Sequence, residues 1–233
     1  MKDLVDKDGK VYERDNLILL GGGSNSYTFS YDDGDMKKVI KLFKRGCLDF
    51  ALNPYVAGII KLLPLKSYPN FYSILEQDGE YLGYVMEYFE RCDNLLLDMT
   101  KDSLITSFQA MEEDVSSFSR GHLLMSDVRS YNLLFSSDGL AHLVDYDMFQ
   151  LHLRANPDSL KLYNSDTLSS FVRSAFGKEV SDEITFTDDE RTQIYGILDE
   201  NFPVYIPFLP SESIADMLED GETPRQFFKK RVK

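Results

Sequence analysis

The chain has 233 residues, 43% of them hydrophobic, which is enough for one large domain or for two small lobes around a cleft. Its formal net charge of −14 repels nucleic acid and anionic membranes, so we expect neither as a partner. No apolar run reaches the roughly 18 residues of a membrane helix, and the charged N-terminus lacks the pattern of a signal peptide. Cys47, Cys92 and the three histidines form no zinc-type spacing, so a reducing, cytoplasmic setting without disulfides is predicted.

The first 90 residues are rich in strand patterns. Alternating runs at residues 26–31 and 38–43, with a turn sequence at 32–35 between them, predict a hairpin. A second hairpin is predicted around the turn at residues 78–79. Between the two hairpins, residues 54–63 suit a short helix that begins at a proline.

Helical spacing dominates after about residue 94. Apolar residues predict a helix over 101–119, with Asp102 or Ser103 as its N-cap, and a small hairpin turns at 137–139. Further helices are expected over residues 165–176, 188–199 and 211–219. The sequence therefore predicts an α+β protein, β-rich over residues 1–90 and mainly helical over 91–233.

The most specific motif lies in residues 126–132, Ser-Asp-Val-Arg-Ser-Tyr-Asn. It places four residues between Asp127 and Asn132, and Asp145 follows after the small predicted hairpin. This arrangement resembles the protein-kinase superfamily, whose catalytic loop has the same Asp-to-Asn spacing and whose metal-binding Asp follows a hairpin. The resemblance covers roughly residues 10–175 and implies a two-lobed kinase-like fold with a reduced helical C-lobe.

The resemblance implies a role for each of these residues. Asp127 would accept or orient the proton of the attacking hydroxyl, and Arg129 would steady the transferred phosphate. Asn132 and Asp145 would bind Mg²⁺, which prefers oxygen ligands. These residue types suit phosphoryl transfer, because that reaction depends on positioning and charge neutralisation. Turn formation by the same Asp and Asn side chains is the simpler alternative.

A glycine-rich segment at residues 20–26, Leu-Gly-Gly-Gly-Ser-Asn-Ser, resembles the kinase glycine-rich loop between two strands. The first two glycines of that loop match here, and a serine takes the third position. The resemblance implies that backbone N–H groups and hydroxyls of this segment hold the phosphates of ATP. A flexible turn is the alternative. The residues implied are Gly21, Gly22, Gly23, Ser24 and Ser26.

Two further segments resemble the nucleotide site of kinases. Lys41 lies in an apolar strand pattern, 18 residues after Gly23, where the family has the lysine that holds the α- and β-phosphates. Val-Met-Glu-Tyr-Phe at positions 85–89 resembles the hinge. There Met86 would be the gatekeeper, and the backbone of Glu87 and Phe89 would bind adenine. An exposed strand lysine and an ordinary strand end are the alternatives.

Several positions depart from the kinase pattern. The helix Glu that pairs with the strand lysine has no counterpart, and Asp49 is the nearest acidic residue. The metal-binding motif reads Asp-Tyr-Asp, with Asp147 in place of Gly, and Met125 replaces the usual His. Asp166 matches either the family's helix Asp that supports the catalytic loop or a helix N-cap. No Ala-Pro-Glu motif follows.

These departures resemble the trimmed kinases among bacterial effectors and other atypical bacterial kinases. The resemblance implies an ATP-dependent phosphotransferase that uses Mg²⁺ and ATP, foremost an atypical Ser/Thr kinase with a protein hydroxyl as acceptor. Such a protein would be cytoplasmic, or secreted into a host cell if it is an effector. The alternatives are a pseudokinase that acts as a binding module, and a small-molecule kinase or AMP transferase on the same fold.

Overall fold

The computed structural model describes residues 3–32, 34–47, 52–126, 128–203 and 208–232. Within these residues the protein is of the α+β class, as the sequence predicted, with one antiparallel sheet of seven strands and six α-helices. The seven strands are β1 (Leu4–Asp6), β2 (Val11–Tyr12), β3 (Ile18–Gly22), β4 (Ser26–Asp32), β5 (Lys37–Phe43), β6 (Phe71–Gln77) and β7 (Glu80–Glu87). Their order across the sheet is β2-β1-β6-β7-β5-β4-β3.

The remaining strands form two small sheets. All helices except the first come after the large sheet in the chain. One small sheet has the order β11-β10-β8, and the other pairs β12 with β9. These strands are β8 (Arg91–Cys92), β9 (Leu123–Leu124), β10 (Leu133–Ser136), β11 (Ala141–Leu143) and β12 (Gln150–Leu151). The helices are α1 (Pro54–Ile60), α2 (Lys101–Arg120), α3 (Pro157–Asp182), α4 (Asp188–Asn201), α5 (Pro210–Met217) and α6 (Pro224–Arg231).

The seven-stranded sheet is strongly curled. Four strands lie between β2 and β4, which would separate them by about 24 Å in a flat sheet. Tyr12 of β2 nevertheless contacts Tyr31 of β4 edge to face, with ring centroids 5.2 Å apart. The curl encloses a small core that includes Leu4, Ile40 and Val85. The other face of the sheet packs on the larger core, which the helices share.

Most predicted elements are confirmed, but several boundaries are wrong. Helix α1 begins at Pro54 and the hairpin of β6 and β7 turns at residues 78–79, both as predicted. The N-cap of α2 is Thr100, whose side chain accepts a hydrogen bond from the backbone of Ser103, so neither predicted cap residue has that position. Helix α3 is far longer than expected, because Asn156 caps it and a proline occupies its first turn.

The C-terminal segment adds a helix that the sequence patterns did not predict. Helix α6 begins with a capping box, in which Thr223 and Gln226 exchange side-chain-to-backbone hydrogen bonds. Its two phenylalanines, Phe227 and Phe228, are buried in the larger core. None of the helices in the described part of the chain combines the length and the apolar character needed to cross a membrane.

A buried carboxylate joins helix α2 to the segment that leads into β6. Both oxygens of Asp114 are used: they accept hydrogen bonds of 2.7–3.1 Å from the backbone of Lys66, Ser67 and Tyr68 and from the Ser67 hydroxyl. The Ser67 carbonyl in turn accepts a bond from the backbone of Leu143 in β11. The segment therefore connects the large sheet to α2 and to the small hairpin.

Replacing Asp114 with Ala should lower the free energy of unfolding by roughly 3 kcal/mol, because three buried donors and one part-buried donor lose their acceptor. Urea unfolding followed by circular dichroism measures the change. The matched control is Glu113→Ala, which removes only an exposed ion pair with Lys66 and should cost about 1 kcal/mol or less. Equal losses in the two variants would contradict the role given to Asp114.

Candidate functional site

The site is built around a buried lysine in the middle of the large sheet. Lys41 lies in β5, opposite Thr28 of β4 on one side and Tyr84 of β7 on the other. Val39 and Phe43 share its face of the strand and pack on the larger core, so the ammonium group is drawn toward the protein interior. Only 7% of Lys41 is exposed, and a charge at that depth requires partners.

Two aspartates supply those partners. The Nζ atom of Lys41 lies 2.7 Å from Oδ1 of Asp145 and 2.7 Å from Oδ2 of Asp147. The backbone N–H of Asp147 donates a further bond of 2.9 Å to the same Oδ1 of Asp145. Residues 104 positions apart in the chain thus meet in one compact ion cluster.

The cluster shifts the pKa values of its members. Burial alone would lower the pKa of Lys41, but the carboxylates of Asp145 and Asp147 raise it above its usual value. Burial, and then the nearby Asp145 carboxylate, raise the pKa of Asp147 to about 6 against the opposing effect of Lys41. Two carboxylates face one ammonium group. When both are ionised, the cluster has a net negative charge that attracts a cation.

An aromatic cluster holds the Asp-Tyr-Asp segment in place. Tyr146 is fully buried, and its hydroxyl donates to the carbonyl oxygen of Pro69. Its ring stacks on Tyr68 with centroids 5.2 Å apart and meets Phe71 and Phe149 edge to face. The tyrosine between the two aspartates is therefore fixed in the core, and both neighbouring carboxylates contact Lys41.

Asn132 lies beside Asp145 through the pairing of β10 and β11. The backbone N–H of Val144 donates a 2.9 Å bond to the carbonyl of Asn132, one residue before Asp145. Asn132 is buried and ends a short 3-10 turn, which Arg129 precedes as an exposed residue. Asp127 lies outside the described residues, so its role remains a prediction.

Asn164 of α3 supports the segment that leads to position 127. Its side-chain oxygen accepts a 2.8 Å bond from the backbone of Met125, and its amide donates to the Leu123 carbonyl and the Ser119 hydroxyl. The prediction that Asp166 caps a helix is wrong, because Asp166 lies inside α3. Asn164, rather than Asp166, makes the hydrogen bonds that hold the segment before position 127.

The glycine-rich segment forms the end of β3 and the turn into β4. Gly21 pairs with Thr28, which in turn pairs with Lys41, so two strand spacings of about 10 Å separate glycine and lysine. Gly21 and Gly23 have no positive φ, and a side chain there would meet nothing within 4 Å. Neither backbone conformation nor packing requires these glycines, which leaves open space for a ligand near the backbone.

The neighbouring residues of that segment fall into two groups. Gly22 and Ser24 are exposed, whereas Ser26 is buried on the same face of the sheet as Lys41. Lys44 donates a 2.6 Å bond to the Gly23 carbonyl. It also lies over the Tyr27 ring, 4.6 Å from the centroid. This bond ties the glycine turn to the end of β5.

The segment that resembles a hinge ends β7. Met86 is buried opposite Val39, and its role as gatekeeper stays a prediction. The N–H of Glu87 already donates to the Asn70 carbonyl, so only its carbonyl could serve a ligand. Phe89 stacks on His142 with ring centroids 4.1 Å apart, which fixes the chain where it leaves the sheet.

The oxygen donors of the cluster fit a magnesium ion. Asp145 offers a carboxylate, and Asn132 lies on the neighbouring strand end. Among the residues that the structure describes, no three His, Cys, Asp or Glu side chains converge as a metal cage. Mg²⁺ is bound through one or two carboxylates and takes its other ligands from water and substrate phosphates, so Asp145 and Asn132 are the residues that would hold it.

The comparisons with known proteins add no family. No protein-family model matches the chain, and no curated protein sequence matches it either. Any functional statement therefore depends on the geometry of the residues themselves. Two features that sequence reasoning missed are the contact of Asp147 with Lys41 and the role of Asn164. The first had a signal in the acidic third residue of Asp-Tyr-Asp.

Gly83 of β7 is required for the approach of β7 to β5 at Lys41. A Cβ atom at Gly83 would lie 1.9 Å from the carbonyl oxygen of Lys41. Gly83→Ala should therefore lower the free energy of unfolding by roughly 3 kcal/mol, measured by urea denaturation. The control is Gly196→Ala on the exposed face of α4, which should stabilise the protein by up to about 1 kcal/mol. A neutral Gly83→Ala variant would contradict this packing.

Proposed function

We propose that this chain is an ATP-dependent phosphotransferase with a two-lobed, protein-kinase-like fold. The observation that carries the proposal is the 2.7 Å contact between Lys41 and Asp145. Each residue is expected on separate sequence grounds, one as the phosphate-binding lysine and one as the metal-binding aspartate. A strand lysine and a loop aspartate without a shared role would not be expected to form a buried contact across 104 residues of chain.

The glycine segment gives the proposal independent support. Gly21 and Gly23 are exposed, and neither a positive φ nor a close packing contact requires glycine at these positions. Gly21 lies on β3 opposite Thr28 of β4, which in turn lies opposite Lys41 of β5. Backbone N–H groups on β3 and the ammonium group on β5 would hold different phosphates of one nucleotide.

Each residue of the site has a task in the proposed reaction. Lys41 binds and orients the α- and β-phosphates, and Asp127 accepts or orients the proton of the attacking hydroxyl. Asn132 and Asp145 would hold Mg²⁺, which neutralises charge on the phosphates when it is bound. Arg129, exposed beside the catalytic segment, would steady the transferred phosphate. The adenine would lie against Met86, with the hinge backbone of Glu87 and Phe89 beside it.

The acceptor is proposed to be a protein hydroxyl. The chain between Asp145 and α3 is only 11 residues long, and part of it pairs as β12 with β9. This leaves the approach to Asn132 and Arg129 without a long covering segment among the described residues. A pseudokinase that binds nucleotide without transfer remains the second candidate, because the α1 sequence has no acidic residue to pair with Lys41.

The proposal predicts that Mg²⁺-ATP raises the melting temperature of the wild-type protein by several degrees, about 5 °C near 100-fold over the Kd. It also predicts transfer of labelled phosphate to itself or to a mixed protein substrate. Asp145→Asn should lose the Mg²⁺-dependent part of the shift and about 100-fold or more of the transfer rate. Asp216→Asn on the exposed side of α5 is the control and should behave as wild type.

Three other outcomes would change the conclusion. A wild-type protein with neither thermal shift nor label would contradict the enzyme and the nucleotide site together. A shift without transfer would support the pseudokinase. The mass of the modified product distinguishes phosphate from AMP, and therefore a kinase from an AMP transferase.

A further inference from the structure

We propose that Asp147 is the lasting carboxylate partner of Lys41, a positioning residue that replaces the acidic residue missing from α1. This inference deepens the proposed function and rests on it. Its basis is the contact of 2.7 Å between Oδ2 of Asp147 and the Nζ atom of Lys41. The same Nζ atom also contacts Asp145. One of the two carboxylates must therefore keep its contact with the lysine when nucleotide binds.

Asp145 cannot serve both purposes. As a ligand of Mg²⁺ it would direct its charge to the metal, and Lys41 would lose part of that partner. A lysine with 7% exposure then needs a second carboxylate, since an unpaired buried charge is very costly. Helix α1 has the sequence Pro-Tyr-Val-Ala-Gly-Ile-Ile and offers none. Asp147 is already in contact and has no proposed task in metal binding.

The two oxygens of Asp147 have separate partners. Oδ2 contacts Lys41, while Oδ1 accepts a 3.2 Å bond from the hydroxyl of Tyr84. Tyr84 is fully buried, and its ring packs against Phe71 and Tyr146 at centroid distances of 5.5 and 6.5 Å. A carboxylate held by a rigid phenol in this way has little freedom to turn from the lysine.

Strand register makes this arrangement specific to the site. Tyr84 lies directly opposite Lys41 in the pairing of β5 with β7, and its ring centroid is 5.8 Å from Nζ. The hydroxyl of Tyr84 and the ammonium of Lys41 thus reach the same carboxylate from adjacent strands. A glycine at position 147, as in the usual kinase motif, would leave both groups without this acceptor.

The inferred role of Asp147 predicts a selective effect on nucleotide binding. Asp147 would keep the ammonium group in place for the α- and β-phosphates without touching the nucleotide or the acceptor. Its loss should weaken nucleotide binding and raise the KM for ATP, while the KM for the acceptor stays unchanged. An acid that only stabilises the fold would not produce this selective change.

The test is a double-mutant cycle on Lys41 and Asp147, read out as the Kd of a fluorescent ATP analogue without and with Mg²⁺. Asp147→Asn should weaken binding by about 10- to 100-fold in the presence of Lys41, as loss of a supporting partner typically does. In a Lys41→Met background the same substitution should change the Kd by less than about twofold. Asp147→Glu, which keeps the charge, should recover part of the affinity.

Matched controls separate positioning from folding. Tyr84→Phe removes only the hydroxyl and should weaken nucleotide binding less than Asp147→Asn does. Urea unfolding of each variant identifies any that fails to fold. If Asp147→Asn is unfolded, the cycle is repeated with Asp147→Ser, which is smaller and retains a polar group.

The outcomes separate the inference from the proposed function. Asp147→Asn that binds nucleotide as wild type overturns the inference alone. An equal loss of affinity with and without Lys41 also overturns it, because Asp147 would then act through another group. A wild-type protein that binds no nucleotide overturns the proposed function, and the inference with it.

Discussion

The need to place a charged lysine inside the protein constrains the rest of the structure. The ammonium of Lys41 is almost entirely removed from solvent, and its charge is balanced by carboxylates from a distant segment. Because an unpaired charge at this depth is costly, the seven-stranded sheet and the Asp-Tyr-Asp segment must meet at one point. The proposed nucleotide site lies at that point.

Buried groups around the ion cluster hold its charged side chains in place. Tyr146, which lies between the two aspartates in the sequence, is buried in the core and so fixes their position. Asp114 joins the chain before β6 to α2. Asn164 holds the segment that approaches position 127. These groups differ in chemistry, but each joins a long-range pair of elements. Together they turn three sequence segments into one site without any disulfide between the described cysteines.

The sequence was sufficient to predict the strands and residues whose local signals agree. The alternating pattern around Lys41 predicted a buried strand, and the hairpin spacing placed Asp145 after β11, both as the structure has them. The turn at residues 78–79 and the start of α1 at Pro54 were equally clear, because glycine readily adopts the positive φ of position 79 and proline fixes φ at the first turn of a helix.

The errors arose where several residues offer the same local chemistry. Thr100, Asp102 and Ser103 can all cap a helix, and only the tertiary structure selects the first. Asn164 and Asp166 lie two residues apart in α3, about 200° around the helix, so sequence alone could not tell which faces the segment before position 127.

Asp49, the acidic residue nearest to α1 in the sequence, lies outside the described residues. The contact with Asp147 depends on how the chain turns after β11, and this turn has no periodic signal in the sequence.

A crystal structure with Mg²⁺ and a non-hydrolysable ATP analogue tests the central claim most directly. We expect the phosphates beside Lys41 and beneath the turn of Gly21 to Gly23, with the metal bound by Asn132 and Asp145. Lys41 should still contact Asp147 in that complex. An analogue bound elsewhere, or a metal that does not touch Asp145, would contradict the proposed nucleotide site.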